Sequence, residues 1–370
     1  MKVKVKTKEL LDAIRQLTSI VSVKKMATIP ILKTVKLCVV ASKLRLTTVD
    51  EDVSLRAEKS IDAESSEDGE IGVDARLLQK IASKLPDKEI SLSTNPGLKL
   101  TAGAKSFDIY SIMNTIDFPS AEKSAAVNKF SVKREDFIRA LKYTTQTVSL
   151  DDTRRVLHGI FVENDKRETT ITSTNGKCLV TTNLKSTSPS QFAFVLPLKT
   201  ATLALKMFKK GSEHISFKVL KNNRIVMVSD DCQIISKTID GTYPTYRQVI
   251  PDSYKYEVSV PLKDFRQNID MILNLAGQCS YFQLEADDNN LYMSINTNSF
   301  VSSSVKFGSS IPVEYQGDIV STNLNPYFIM QAIKNLKVEE LKLHFTSGLS
   351  PVGISADNGF TFVIMPMRGR

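Results

Sequence analysis

The sequence holds only three histidines and four cysteines, and Cys38, Cys178, Cys232 and Cys279 stand far apart with no CxxC pair. That spacing excludes the usual zinc and redox motifs and leaves the thiols as free, mostly buried side chains. No apolar run is long enough to span a bilayer, so no membrane role is implied. The opening MKVKVKTKELL alternates lysine with valine and then turns amphipathic, unlike the unbroken apolar core of a secretory leader, and a cytoplasmic location is expected. A phosphate-binding loop is missing as well: before Gly176-Lys177 the required upstream glycine is replaced by Ile171, and Cys178 stands where Ser or Thr is needed. His158, His214 and His344 have no nucleophile or carboxylate in a recognisable arrangement. The pairs Asp151-Asp152, Asp230-Asp231 and Asp287-Asp288 read as solvated turn residues rather than Mg²⁺ ligands. No catalytic residue, metal or cofactor is therefore expected.

What is present is an internal repeat. Val132 to Ser149, VKREDFIRALKYTTQTVS, puts Phe137, Ile138, Leu141, Thr144 and Val148 at helical spacing, with Arg139, Lys142 and Gln146 off that stripe. Leu10, Leu11, Ile14, Leu17 and Val21 repeat the pattern upstream, in a helix expected from about Thr7 to Val21. Phe265, Ile269, Ile272 and Ala276 repeat it downstream. Val5, Val132 and Val260 open the three copies, 127 and 128 residues apart, a period that means three similar domains rather than a solenoid. Boundaries are expected at 1–122, 128–251 and 252–370, with the polar segment 123–129 as a linker.

Each copy carries a second helix. Asp74 is placed to cap DARLLQKIASKLP, whose Leu77, Leu78, Ile81 and Leu85 form the apolar side and which Pro86 ends. PLKTATLALKMFKKG serves in the second copy, and in the third Phe328, Ile329, Ala332 and Leu336 match the first at a constant offset of 251. Between helices the pattern alternates apolar and polar, with turns at Ala41 to Lys43, Glu163 to Asp165 and Asp287 to Asn290. The fold class is thus α+β: three similar domains, each an antiparallel sheet covered by two helices.

Net charge is +9, with a pI near 9.2, which favours a polyanionic partner. Basic residues recur off the apolar stripes: Arg76, Lys80 and Lys84; Arg139 and Lys142; Lys199, Lys206, Lys209 and Lys210; Lys334 and Lys337. On one helix such a set is an ordinary solvated face, but recurrence across repeats points to the phosphates of a nucleic acid. No recognition helix, RNP motif or zinc finger appears, so contacts should be indifferent to sequence.

Six segments carry a resemblance: TIPIL near Thr28, LDDTRRVLHGIFVE from Leu150, TNGKCL from Thr174, KTIDGTYPTYRQVIP from Lys237, LNPYFIMQAIKNL from Leu324 and FVIMPMR from Phe362 to Arg368. End to end the chain resembles the bacterial sliding clamp, the β subunit of DNA polymerase III. The resemblance implies a ring-forming DNA clamp fold, closed as a head-to-tail homodimer with helices lining a hole for double-stranded DNA. It implies a non-catalytic processivity factor that tethers the DNA polymerase III α subunit, is handled by a clamp loader and is shared with other replication and repair proteins. The rival reading is an open, sequence-independent DNA-binding or coating protein.

The resemblance also implies sites. A pocket for a short Gln-and-Leu-rich partner peptide would have apolar walls from Leu157, Leu179, Pro244, Val249, Val363, Met365 and Met367, completed by Thr174, Gly176, Pro366 and Arg368. Flexible methionines suit a site that takes several peptides. DNA contacts would come from Lys24, Lys25, Arg76, Lys80, Arg139, Lys142, Arg154, Arg155, Lys199 and Lys206. The dimer seam would join Phe107 and Ile109, on an edge strand, to Ile272 and Leu273 of the other copy, whose Met271 and Leu275 also need cover. The chain departs from the family at Asn175, Lys177 and Cys178, where Asp, His and Arg are usual, at Gln248, where Arg is common, and in its positive charge.

Overall fold

A computed structural model of the protein describes residues 1–21, 29–85, 88–94, 97–110, 112–120, 124–151, 153–166, 168–186, 188, 190–276, 281–287, 289–296, 306–356 and 359–368. Among them lie six α-helices: α1 (Thr7–Leu17), α2 (Ala75–Ala82), α3 (Arg134–Thr144), α4 (Leu198–Met207), α5 (Leu262–Ala276) and α6 (Pro326–Ile333). All strand pairings are antiparallel, in four sheets, as the α+β reading requires.

The chain forms two compact units, and the central third is divided between them. In the unit containing the N-terminus, alternation decides the first strand: Val3 and Val5 of Lys2–Lys6 are buried while the lysines are exposed. That strand lies in a five-stranded sheet whose last member, Lys105–Ile109, is an edge strand. A nine-stranded sheet runs from Ile112–Met113 to Ala126–Lys133. In it Leu55–Asp62 of the first third pairs directly with Cys232–Lys237 of the central third, Ala57 opposite Ile234. The hairpin of Thr34–Val40 and Lys43–Val49 closes through Ala41 and Ser42, both with positive φ (51° and 59°), the twist that two-residue hairpins favour. Asp74 caps α2 by accepting the Leu77 amide at 2.7 Å.

In the other unit an eight-stranded sheet runs from Phe192–Pro197 to Tyr256–Pro261, and a four-stranded sheet holds Lys306–Pro312, Asn290–Asn296, Phe282–Asp287 and Val320–Leu324. Here Cys178–Leu184 of the central third pairs with Phe360–Ile364 of the last. Helices α5 and α6 bury Phe265, Ile269, Ile272, Ile329 and Ala332 completely in the core of this unit, at about 1.5–3 kcal/mol for each large side chain. Arg266 of α5 donates to the Ile333 and Leu336 carbonyls (2.7 and 3.0 Å), satisfying the end of α6.

Four local expectations change. Helix α1 stops at Leu17, where Thr18 and Ser19 turn their hydroxyls onto the Arg15 and Gln16 carbonyls; Ile20 and Val21 stay buried without being helical. Helix α2 buries Ala75, Leu78 and Ala82, leaving Leu77 exposed and Ile81 and Leu85 half-buried, because eight residues give a narrow stripe. The segment 123–129 is not simply a linker, since Ala126–Lys133 is a strand paired with His214–Leu220. Glu163 and Asn164 belong to a strand, and the turn falls at Asp165 to Glu168 with Lys166 at φ 83°.

Candidate functional site

Three of the predicted peptide-site residues, Leu157, Leu179 and Val363, meet in a satellite core beside the Cys178–Leu184 and Phe360–Ile364 pairing. Leu179 stands opposite Val363 in that register, and both pack with Leu157, Val195, Tyr243 and Tyr246. Leu157, Leu179 and Val363 are buried and pack with the two tyrosines, so they can form the floor of such a pocket. The apolar groups that reach solvent are Pro244, Val249 (41% exposed) and Met365 (40%), with Pro366 and Met367 half-buried and Arg368 exposed. The last segment is tied down by the Met365 amide donating to the Lys177 carbonyl (2.9 Å) and the Met367 amide to the Asn323 carbonyl (2.8 Å).

Sequence reasoning passed over Tyr243, Tyr246 and Phe161. Tyr243 stacks on Phe161, centroids 4.7 Å apart and planes 3° from parallel, and burial pushes its phenol above the ordinary range. The Tyr246 hydroxyl donates to Glu163 Oε1 at 2.5 Å, and Arg247 Nη2 reaches the same oxygen at 2.7 Å. The signal was in view: two tyrosines flank Pro244 in the segment DGTYPTY.

The turn Thr174 to Cys178, predicted as the polar arm of the pocket, is held by its own hydrogen bonds. Asn175 Oδ1 accepts from the Lys177 and Cys178 amides, each at 2.9 Å, an Asx-type turn with Gly176 at φ 83°. The Thr174 hydroxyl donates to the Cys178 carbonyl (2.7 Å). The Arg154 guanidinium lies against Gly176: a Cβ added there would stand 3.3 Å from Nη2. Cys178 is buried, and desolvation pushes its thiol up to about 12.

The predicted DNA residues divide. Arg76, Lys80, Arg139, Lys142, Arg155 and Lys206 are exposed, as expected for phosphate contacts; Arg76 Nη2 also reaches the Val21 carbonyl at 3.5 Å. Lys199 is exposed too but pairs with the buried carboxylate of Asp50 (2.9 Å), and the exposed Arg154 has its guanidinium against Gly176. Lys24 and Lys25 lie outside the described residues. At the predicted seam, Phe107 is half-buried and Leu273 packs partly against the core of its own unit, but Ile109 and Ile272 are buried and offer no surface. Met271 (48% exposed) and Leu275 (41%) are the open apolar residues of α5.

Three of the remaining candidates have structural partners. His344 Nε2 lies 2.7 Å from Ser355 Oγ, and burial lowers its pKa. Asp231 pairs with Lys43 (2.5 Å), and Asp230 accepts the Ser212 amide (2.5 Å). Asp152, Asp288 and Cys279 lie outside the described residues, and no described helix is long and apolar enough to cross a membrane.

Three family models match in tandem: the DNA polymerase III beta subunit N-terminal domain over residues 1–122, the central domain over 131–245 and the C-terminal domain over 247–368. The chain belongs to the DNA polymerase III beta subunit family. It is 27% identical to the beta sliding clamp of Rickettsia bellii over 389 aligned positions and 26% identical to that of Chlamydia pneumoniae over 376; the alignments cover all of this chain and 100% and 99% of the relatives. Among solved structures, the sliding clamp (DNA polymerase III subunit beta) of Pseudomonas aeruginosa bound to griselimycin superposes with a TM-score of 0.92 at 22% identity. The beta subunit of Thermotoga maritima does so with 0.89 at 21%, each pair covering 100% of both chains. These likenesses establish the fold of a DNA polymerase III beta subunit, three clamp domains of antiparallel sheet and helices. The family is a non-catalytic one of processivity factors.

Proposed function

We propose that this protein is a DNA sliding clamp that encircles duplex DNA as a closed homodimer and tethers the replicative polymerase by topology rather than by tight binding. The observation that carries the reading is the tandem match of all three clamp domains along the chain. Domain limits of 1–122, 128–251 and 252–370 follow the internal repeat. The exposed cations Arg76, Lys80, Arg139, Lys142, Arg155 and Lys206 supply sequence-independent phosphate contacts, weak enough individually to let the ring move. The surface around Pro244, Val249, Met365 and Met367, over its floor of Leu157, Leu179 and Val363, takes the peptides of the polymerase α subunit, the clamp loader and other replication and repair proteins in turn. Phe107 meets Leu273, Met271 and Leu275 of the second copy at the seam. The protein works in the cytoplasm.

The test is retention on DNA of different topology. A clamp loaded on a nicked circle stays bound through a salt wash and slides off once the circle is linearised. A coating protein is lost from both forms alike as salt rises, and that outcome would replace this reading.

A further inference from the structure

The sequence around His344 shows no recognisable catalytic arrangement, yet the strand register builds one. Glu257, on Tyr256–Pro261, stands opposite His344, on Glu340–Phe345. The next strand, Val352–Ala356, puts Gly353 opposite His344 and brings Ser355 to the same face two residues further on. His344 Nε2 lies 2.7 Å from Ser355 Oγ, and its Nδ1 lies 3.4 Å from Glu257 Oε2. Lys342 holds the other Glu257 oxygen at 2.7 Å, which fixes the carboxylate beside the ring. Tyr254 packs on the imidazole, centroids 5.0 Å apart, and Gly353 makes room for it: a Cβ there would stand 2.5 Å from the phenol oxygen. That oxygen is buried with no hydrogen-bond partner among the described residues, an unused donor on the face that carries Ser355.

We propose that Ser355 is an acyl-accepting site, with His344 as its general base, Glu257 orienting the imidazole and small activated acyl esters as the substrate class. The roles fall in order along the contacts: a nucleophile bonded to a base, and a base backed by a carboxylate. The carboxylate favours the tautomer with its proton on Nδ1, leaving the Nε2 lone pair to receive the serine proton. Ser355 Oγ then attacks the acyl carbon, its proton passes to Nε2, the bond to the leaving alcohol breaks, and the alcohol departs with that proton. Burial lowers the pKa of His344, so the ring is neutral and able to act at pH 7. Burial raises that of Tyr254, so its phenol remains a donor on the face where the acyl oxygen gains charge. Ser355 is half-buried, which admits a small acyl group rather than a bulky one. The product is one acyl group per chain, a modification rather than a turnover, and it leaves the non-catalytic role of the family in place.

The test incubates the full-length protein with p-nitrophenyl acetate and locates the acetyl groups by peptide mass spectrometry. Ser355 should be acetylated about tenfold faster or more than Ser347 and Ser350, whose hydroxyls bond each other at 2.7 Å, and should lose that advantage in His344→Gln. The rate should rise with pH through a midpoint below the ordinary imidazole value of 6.5, set by burial together with Glu257, which raises it, and Lys342, which lowers it. Glu257→Gln, at an exposed position, should slow acetylation and move that midpoint further down, a shift that loss of packing alone does not produce. Urea unfolding of each variant reports the fold. Should His344→Gln unfold, the Glu257→Gln profile decides, and an unmoved midpoint counts against the site. Acetyl groups confined to lysines such as Lys342, an equal rate at Ser355 in His344→Gln, or labelling of Ser355 only in denaturant overturns the inference.

Discussion

Lys199 Nζ lies 2.9 Å from Asp50 Oδ2, and Asp50 is buried, its carboxylate also accepting the Leu55 amide at 2.9 Å and the Ser54 hydroxyl at 3.0 Å. A lysine at the start of α4 is thereby committed to a loop of the first third, whose Val53 is held at φ 53°, a conformation rare for a β-branched residue. The pair joins the first and central thirds within one unit, alongside the pairing of Leu55–Asp62 with Cys232–Lys237.

The two partners should respond unequally. Asp50→Ala strands the buried Leu55 amide and returns a half-exposed ammonium to water, and is expected to cost about 2 kcal/mol. Lys199→Met, at a half-exposed position, should cost about 1 kcal/mol. Urea unfolding measures both, and equal small losses would deny Asp50 its structural role. In DNA binding, Lys206→Met should lower the salt slope by about one unit, whereas Lys199→Met should leave it nearly unchanged.

Gly176→Ala forces a Cβ onto a residue at φ 83° and sets it 3.3 Å from Arg154 Nη2. A loss of about 1 kcal/mol in stability is expected, with weaker binding of the peptide. Asn175→Ala should act through the same turn by freeing the Lys177 and Cys178 amides. Thermal unfolding and anisotropy on the same samples check the two effects. An alanine variant as stable and as tight-binding as the wild type would mean that the turn does not shape the site.

Much of this was legible in the chain. The stripes of α1, α3 and α5 follow helical spacing because each helix covers a sheet with one face, and Phe137, Leu141, Phe265 and Ile269 are buried as that geometry demands. Asp74 was readable as a cap because a side-chain oxygen three residues before a free amide satisfies it locally. What escaped depends on partners distant in sequence. Nothing near Lys199 announces Asp50, 149 positions away, and nothing in LDDTRR places Arg154 on a glycine of a later turn. The resemblance named Leu157, Leu179 and Val363 by motif, but that all three would be buried with Tyr243 and Tyr246 depends on partners the motif does not carry.

Cys178 offers a test by pH. Burial raises its folded pKa from 9.0 to about 12, so the folded state keeps the thiol protonated where the unfolded chain releases the proton. The resulting contribution is fully present below pH 9 and is lost as pH climbs towards 12. Between pH 8 and 10.5 the wild type should lose about 2 kcal/mol more unfolding free energy than Cys178→Ala. Iodoacetamide at pH 8 should label this thiol only in denaturant; rapid labelling of the native protein would contradict the burial.

The proposed seam separates residues that the family resemblance had grouped. Ile272 is completely buried among Phe265, Ile269 and Ile329, so Ile272→Ala should cost about 3 kcal/mol of folding stability by opening a cavity, with the subunit number unchanged. Met271 and Leu275 stand exposed on the same helix, and the strand carrying Phe107 is the free edge of its sheet. Aspartate at Met271 and Leu275 together, or at Phe107, would put charge into the proposed contact, which needs apolar surface on both sides, and should convert the proposed dimer to monomer with little change in unfolding. Sedimentation velocity reads the mass and urea unfolding the stability. A dimer that persists in the Met271→Asp, Leu275→Asp variant would move the seam off α5, and dissociation by Ile272→Ala without loss of stability would mean that its side chain faces the other copy after all.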